Sequence, residues 1–240
     1  MRRILVMSGK GGVGKTTVAV NFAVKLSKEF KVGLLDIDFH GPNVPKMLGL
    51  EGRNVESEDE KIIPIKYNNN LKVLSISFLL ENKDSPVIWR GALKHKVVHQ
   101  FLNDVKWGEL DYLIIDMPPG TGDEIISMAQ LIEKPAETIL VSTPQEVSLM
   151  DVKKTINFSK QLGIKIIGVI ENMSGEIFGT GKVEKEVQEQ NIPFLGKISL
   201  SKVISQASDK GKPFILTQGD STEEFNKIIK KITENQTSVN

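Results

Sequence analysis

The 240-residue sequence contains no cysteine. That absence excludes disulfides, thiolate catalysis and any zinc or iron–sulfur site ligated by cysteines of this chain alone. Long apolar runs are missing as well. The first apolar stretch, Ile4–Met7, is cut off by Ser8-Gly9-Lys10, too early for a signal peptide. No uncharged apolar segment approaches the roughly 20 residues of a membrane-spanning helix, so a cytosolic protein is expected. Charge of one sign is not in excess: 31 Lys and Arg stand against 30 Asp and Glu, a net +1. Such a balance gives no long-range field for nucleic acid or an anionic membrane, and neither is expected as a partner. Internal repeats and linkers rich in Gly, Pro or Ser are also lacking, which favours one domain over 1–240. Hydrophobic residues make up 40% and charged residues 25%, enough at this length to build a core without disulfides or structural metal.

Short β-branched runs alternate with helical stretches along the whole chain. Strands are predicted over Arg3–Ser8, Lys31–Asp36, Leu71–Ser77, Leu110–Asp116, Glu137–Thr143, Lys165–Ile170 and Phe194–Ile198. Runs such as Leu113-Ile114-Ile115 and Ile139-Leu140-Val141 suit strands covered on both faces, as in a parallel sheet. Helices are predicted over Lys15–Glu29, Ala92–Val105, Asp123–Ile132, Val147–Leu162, Lys182–Gln190, Lys202–Lys210 and Thr222–Thr233. In the second of these, Leu93, Val97, Val98, Phe101, Leu102 and Val105 form the apolar face. The alternation implies an α/β fold with a doubly wound, mostly parallel sheet flanked by helices. Glu51–Asn70 is the least regular stretch and reads as a surface excursion.

The first predicted strand runs into Gly9-Lys10-Gly11-Gly12-Val13-Gly14-Lys15-Thr16-Thr17 and then a helix, matching G-x-x-x-x-G-K-[ST]. Small residues let backbone N–H groups converge on phosphate oxygens, and the helix start adds a favourable dipole. Lys15 would reach the β- and γ-phosphates and the Thr16 hydroxyl would ligate Mg²⁺. Lys10 is a second lysine inside the loop, and spacing alone does not separate a task for it from a place on the surface. Asp36 and Asp38 sit at i and i+2 at the end of the second predicted strand, where open α/β sheets bind ligands. They can also be read as strand-ending caps. Asp116 closes the apolar run Leu113-Ile114-Ile115 in the Walker B manner, holding Mg²⁺ through water, and Pro118-Pro119-Gly120-Thr121-Gly122 follows as a candidate γ-phosphate switch.

The string G-K-G-G-V-G-K-T-T resembles the deviant Walker A loop of the MinD/ParA/ArsA/nitrogenase-iron-protein class. Longer strings are similar to the Mrp/ApbC family: Asp36-Ile-Asp-Phe-His-Gly-Pro-Asn-Val-Pro45, Trp89-Arg-Gly91, Trp107 through Asp123, Glu171-Asn-Met-Ser174, Ile192-Pro-Phe-Leu-Gly196 and Asp209-Lys-Gly-Lys-Pro213. The resemblance implies a slow, Mg²⁺-dependent ATPase acting as a homodimer with nucleotide sandwiched between subunits. It further implies that Lys10 reaches the partner's nucleotide, that Asp38 orients or activates the attacking water, that Asp36 supports the metal region, and that Asn172 reads adenine. An ordinary strand-end asparagine is the other reading of Asn172. The family assembles or carries iron–sulfur clusters, bridging one between two C-x-x-C motifs of a homodimer, and iron–sulfur scaffold or client proteins are the implied partners. Here Met173-Ser174 passes through Gly175-Glu176 directly to Ile177-Phe178-Gly179, so the cysteine-bearing loop is deleted. The alternative within the wider class is a ParA/MinD-like switch controlling positioning or membrane association. Phe225, Ile228, Ile229 and Ile232, flanked by Lys227, Lys230 and Lys231, could be such a membrane helix or could pack on the sheet. His95 and His99 stand at a metal-ligand spacing on a predicted helix, or on a solvated face shared with Lys94 and Lys96; His40 lies in the first switch.

Overall fold

A computed structural model describes residues 1–79, 91–132 and 135–234. The first half comprises β1 (Arg2–Met7), α1 (Lys15–Leu26), β2 (Val32–Asp36), α2 (Val44–Leu48), β3 (Glu56–Glu58), β4 (Lys61–Ile63), β5 (Ile65–Lys66), β6 (Leu71–Ser75) and α3 (Gly91–Asn103). Then follow β7 (Tyr112–Asp116), α4 (Asp123–Leu131), β8 (Ala136–Ser142), α5 (Glu146–Gln161), β9 (Lys165–Ser174), α6 (Lys182–Glu189), β10 (Phe194–Ser199), α7 (Lys202–Asp209) and α8 (Asp220–Glu234). Among the described residues the strands form one eight-stranded sheet, ordered β10-β9-β8-β1-β7-β2-β6-β5, and a two-stranded ribbon β3-β4. All neighbours in the large sheet run parallel except the edge strand β5.

The apolar runs become the inner strands because only a sheet covered on both faces can bury consecutive Ile, Val and Leu. β2 and β7 are inaccessible along their whole length. β7 lies between β1 and β2, while β8 takes the other side of β1. Strand order therefore reverses around β1, which opens a crevice at the carboxyl ends of β1, β7 and β2. The doubly wound, mostly parallel sheet expected from the alternation is the fold observed.

Two features escaped the pattern. α2 is five residues long, opens with Pro45 in its first turn and ends at Gly49, too short for any periodicity to register. Within the 51–70 excursion, β3 and β4 pair through Asp59 and Glu60, both left-handed at φ +51° and +61°, without the Asn-Gly or Asp-Gly pair that would signal such a turn. The apolar stripe of α8 is buried, with Ile228 packed against Gly196 of β10. Its hydrophobic face belongs to the core. No helix among the described residues is long and apolar enough to cross a membrane. Of the strings quoted above, Trp89 and Arg90 lie outside the described residues.

Candidate nucleotide site

Residues 8–14 connect β1 to α1, and two glycines meet hard geometric demands there. Gly14 has φ +87°, and a Cβ on it would lie 2.1 Å from Asn172 Nδ2. At Gly9 an added Cβ would lie 2.7 Å from the Asp151 carbonyl oxygen of α5. The loop is tied at several points. The Ser8 hydroxyl donates to the Lys10 carbonyl at 2.9 Å, and the Asn172 side-chain amide donates to the Val13 carbonyl at 2.8 Å. Gly120 N–H donates to the Ser8 carbonyl at 2.8 Å, which fastens the Pro-Pro-Gly turn to the same loop. Gly11 and Gly12 are exposed, Thr16 and Thr17 are half-buried at the start of α1, and the Lys10 side chain is half-buried. The first N–H groups of α1 have no partners within the helix and face this loop, as an anion site requires.

Register brings the acidic residues together. Val6 pairs with Asp116, Asp116 with Asp36, and Asp36 with Ser75, so four neighbouring strands place these residues in one row. Lys15, buried at the start of α1, donates to Asp116 Oδ1 at 2.6 Å and lies 3.8 Å from Asp38 Oδ2. The two sequence readings of Asp36 and Asp38 turn out to be compatible. Each carboxylate uses Oδ1 to cap: Asp36 accepts from Asp38 N–H at 3.1 Å, and Asp38 accepts from His40 N–H at 3.1 Å and Gly41 N–H at 3.3 Å. The second oxygens face other work. Asp36 Oδ2 accepts from the Ser75 hydroxyl at 2.8 Å and Val44 N–H at 3.4 Å, and Asp38 Oδ2 faces Lys15.

Three clustered carboxylates against one ammonium leave the site short of positive charge. Burial, then the charge on Asp116, pushes the Asp36 carboxyl up to about 8, against the pull of Asp38 N–H, Ser75 and Lys15. Burial also raises Asp116, opposed by Lys15 and by the Thr16 hydroxyl. Asp116 Oδ2 is buried and accepts no hydrogen bond. A buried carboxylate oxygen with spare acceptor capacity beside a threonine hydroxyl fits Mg²⁺, which takes few protein oxygens and completes its shell with water and phosphate. Both Asp36 oxygens are already engaged, Oδ1 by the Asp38 N–H and Oδ2 by Ser75 and Val44.

Asn172 reaches the loop through a local irregularity. Asn172 pairs with Ile198 and Ser174 with Ser199, leaving Met173 as an extra residue at φ +57°, the bulge that turns this part of β9 toward Val13 and Gly14. Glu171, fully buried, accepts from the Ser174 hydroxyl at 2.7 Å, Gly181 N–H at 2.8 Å and Val183 N–H at 3.0 Å, capping α6. Between them, where the cysteine-bearing loop is expected, Gly175 and Gly179 exchange two backbone hydrogen bonds at 2.9 and 2.7 Å. The turn is closed, with Ile177 exposed at its tip.

One expectation on α3 is overturned. Lys94 is not on a solvated face: it is 7% exposed, whereas Leu93 is 44% exposed. The buried stripe is Lys94, Val97, Val98 and Phe101, spaced i, i+3, i+4, i+7, and that spacing was readable had a lysine been admitted to it. His95 and His99 are exposed, and neither belongs to a group of three metal-ligating side chains among the described residues.

The comparisons with known proteins agree with this fold. The family model described as ParA, NUBPL iron-transfer P-loop NTPase, matches residues 1–235. An iron-sulfur cluster carrier protein of Saccharolobus solfataricus is 48% identical, covering 98% of this chain and 85% of the relative. One of Methanocaldococcus jannaschii is 49% identical, covering 97% and 84%. A nucleotide-binding protein of Archaeoglobus fulgidus, solved in complex with ADP, superposes with a TM-score of 0.80 at 38% identity, covering 93% of this chain and 91% of its own. The septum site-determining protein MinD of Pyrococcus horikoshii, complexed with Mg-ADP, gives 0.78 at 25% identity over 98% and 97%. On a phosphate loop, a Walker B strand and a match of nearly full length, this chain belongs to the NUBPL iron-transfer P-loop NTPase family.

Proposed function

We propose that this chain is a Mg²⁺-dependent ATPase domain that works in the cytoplasm as a nucleotide-sandwich homodimer and serves iron–sulfur cluster assembly or transfer without cysteine ligands of its own. The observation that carries the reading is Lys15, buried and shared between Asp116 and Asp38 at the mouth of the phosphate loop. Lys15 and the α1 N-terminus bind the β- and γ-phosphates, and Asp38 orients a water for in-line attack on the γ-phosphorus. The water oxygen forms the new P–O bond as the bond to the β–γ bridging oxygen breaks. ADP departs; one proton of the water stays on the new P–O–H group and the other passes to a second phosphate oxygen, giving dihydrogen phosphate. Thr16 and Asp116 would hold Mg²⁺, which neutralises charge on the phosphate oxygens. Lys10, half-buried in the exposed part of the loop, is assigned to the nucleotide of the second subunit.

The cluster enters this scheme as cargo. With no cysteine in the sequence and a closed turn at Gly175–Gly179, its thiolate ligands come from another protein. The alternative of a membrane-positioning switch is not favoured, because the helix it would use has its apolar stripe buried on β10. The test is turnover and association measured together. Wild-type protein should hydrolyse ATP only with Mg²⁺ and sediment as a dimer with ATP. Lys10→Ala should bind ATP as a monomer. Absence of hydrolysis, or a Lys10→Ala dimer as stable as wild type, removes the reading.

A further inference from the structure

Lys94 is a buried lysine with no place in the scheme above. Burying an ammonium is costly unless its surroundings compensate the charge. From α3 its Nζ lies 5.5 Å from the centroid of the Phe39 ring, within cation–π range, and 3.5 Å from His40 Nε2. An ammonium only donates, so Nε2 is the acceptor and the ring proton sits on Nδ1. Phe39 is itself buried, while His40 is exposed. These two residues immediately follow Asp38, and His40 N–H is one of two backbone groups that hold Asp38 Oδ1.

We infer that Lys94 is a positioning residue for hydrolysis: it clamps the Phe39 and His40 side chains so that the His40 and Gly41 N–H groups fix Asp38 with Oδ2 turned toward Lys15. The inference rests on the ATPase reading above. Through this clamp α3 has mechanical hold of the first switch from outside the phosphate loop, and a shift of α3 would be transmitted to Asp38 without any contact to nucleotide. The contact is made to Phe39 and His40 and not to the phosphate loop, so its loss should affect the placement of Asp38 and leave nucleotide binding alone.

The experiment compares Lys94→Met, which keeps the stem and removes the charge, with Lys94→Arg and His40→Ala. Amide hydrogen exchange over residues 38–44 reads the loop directly, since His40 and Gly41 N–H are bonded to Asp38. In Lys94→Met these amides should exchange about tenfold faster, kcat should fall about tenfold, and ATP affinity should stay within twofold. Lys94→Arg should recover most of both losses. His40→Ala, which removes one of the two contacts of Lys94, should show part of both losses, and the double variant should lose no more than Lys94→Met alone. Unchanged exchange, unchanged kcat, affinity falling in step with kcat, or additive losses would each overturn the inference. Should Lys94→Met fail to fold, His40→Ala at its exposed ring decides alone. A wild-type protein without hydrolysis would remove the ATPase reading instead, while exchange would still decide whether Lys94 holds the loop.

Discussion

The two ends of the central sheet treat carboxylates in opposite ways. At the carboxyl end Asp36, Asp38 and Asp116 share one lysine, and burial raises Asp36 and Asp116. At the amino end of β8, Glu137 is held between Arg2 and Lys165, the latter at 3.0 Å. Burial raises Glu137 too, but the two cations outweigh it and hold the carboxyl below the usual glutamate range. A cavity of about 630 Å³ opens there, lined by Arg2, Tyr112, Glu137 and Lys165 among others, and water reaches the charges. Where cations outnumber carboxylates, the charges serve the fold. Where carboxylates outnumber cations in a dry setting, the deficit is met by what binds, which is how a metal-nucleotide site differs from a structural ion pair.

The sharpest way to break this comparison is to remove the shared cation. Lys15→Ala should weaken ATP binding at least about 100-fold, roughly 3 kcal/mol, as expected for truncating one member of a buried charge-assisted set. Titration with a fluorescent ATP analogue measures it. Affinity within threefold of wild type would mean that the carboxyl end is only another structural cluster. Asp38→Asn comes next. Its Oδ1 capping bonds survive in the amide, so the loop should persist and ATP affinity should hold. Turnover should fall roughly 100-fold if the carboxylate orients the attacking water. Normal single-turnover hydrolysis by the variant would take Asp38 out of the chemistry.

Asn172 tests how far the phosphate loop depends on the strand behind it. Asn172→Ala removes the donor to Val13 and leaves a buried carbonyl unpaired, so affinity should drop about tenfold, near 1.4 kcal/mol. The probe that sharpens the result is inorganic triphosphate, which has no base. An equal loss for ATP and triphosphate assigns Asn172 to bracing the loop. A loss confined to ATP assigns it to adenine.

How much of this was legible follows from what each feature depends on. The sheet was readable because continuous Ile, Val and Leu runs admit few other uses, and the meeting of Lys15, Thr16 and Asp116 because the strand–loop–helix motif fixes their places. Asp36 was legible as a strand-end carboxylate, but the separate partners of its two oxygens were not visible: Oδ1 and Oδ2 are the same in a sequence and different only once Ser75 and Val44 lie beside one of them. The Met173 bulge depends on a register shift against β10, where Asn172 pairs with Ile198 and Ser174 with Ser199, partners far apart in the chain that no local pattern encodes. Glu171 and Lys94 were missed for a shared reason. Charged residues are assigned to solvent by default, and only packing reveals that one caps α6 and the other reaches Phe39.

The smallest effect expected is at the structural end, and its pH dependence distinguishes it from the site. Glu137→Gln removes the charge that Arg2 and Lys165 hold. Solvent reaches the pair, so the loss should be no more than about 1 kcal/mol, a drop of a few degrees in Tm, with turnover unchanged. Because the folded carboxyl titrates below its unfolded value, its contribution is fully present above the ordinary glutamate range and disappears as pH falls through the lowered value. The Tm difference between wild type and Glu137→Gln should therefore be largest near pH 7 and disappear in acid, below the ordinary glutamate range. A difference that persists in acid would mean that Glu137 stabilises through packing rather than charge. A change in kcat at neutral pH would mean that the two ends of the sheet are coupled, and the contrast between them would no longer hold.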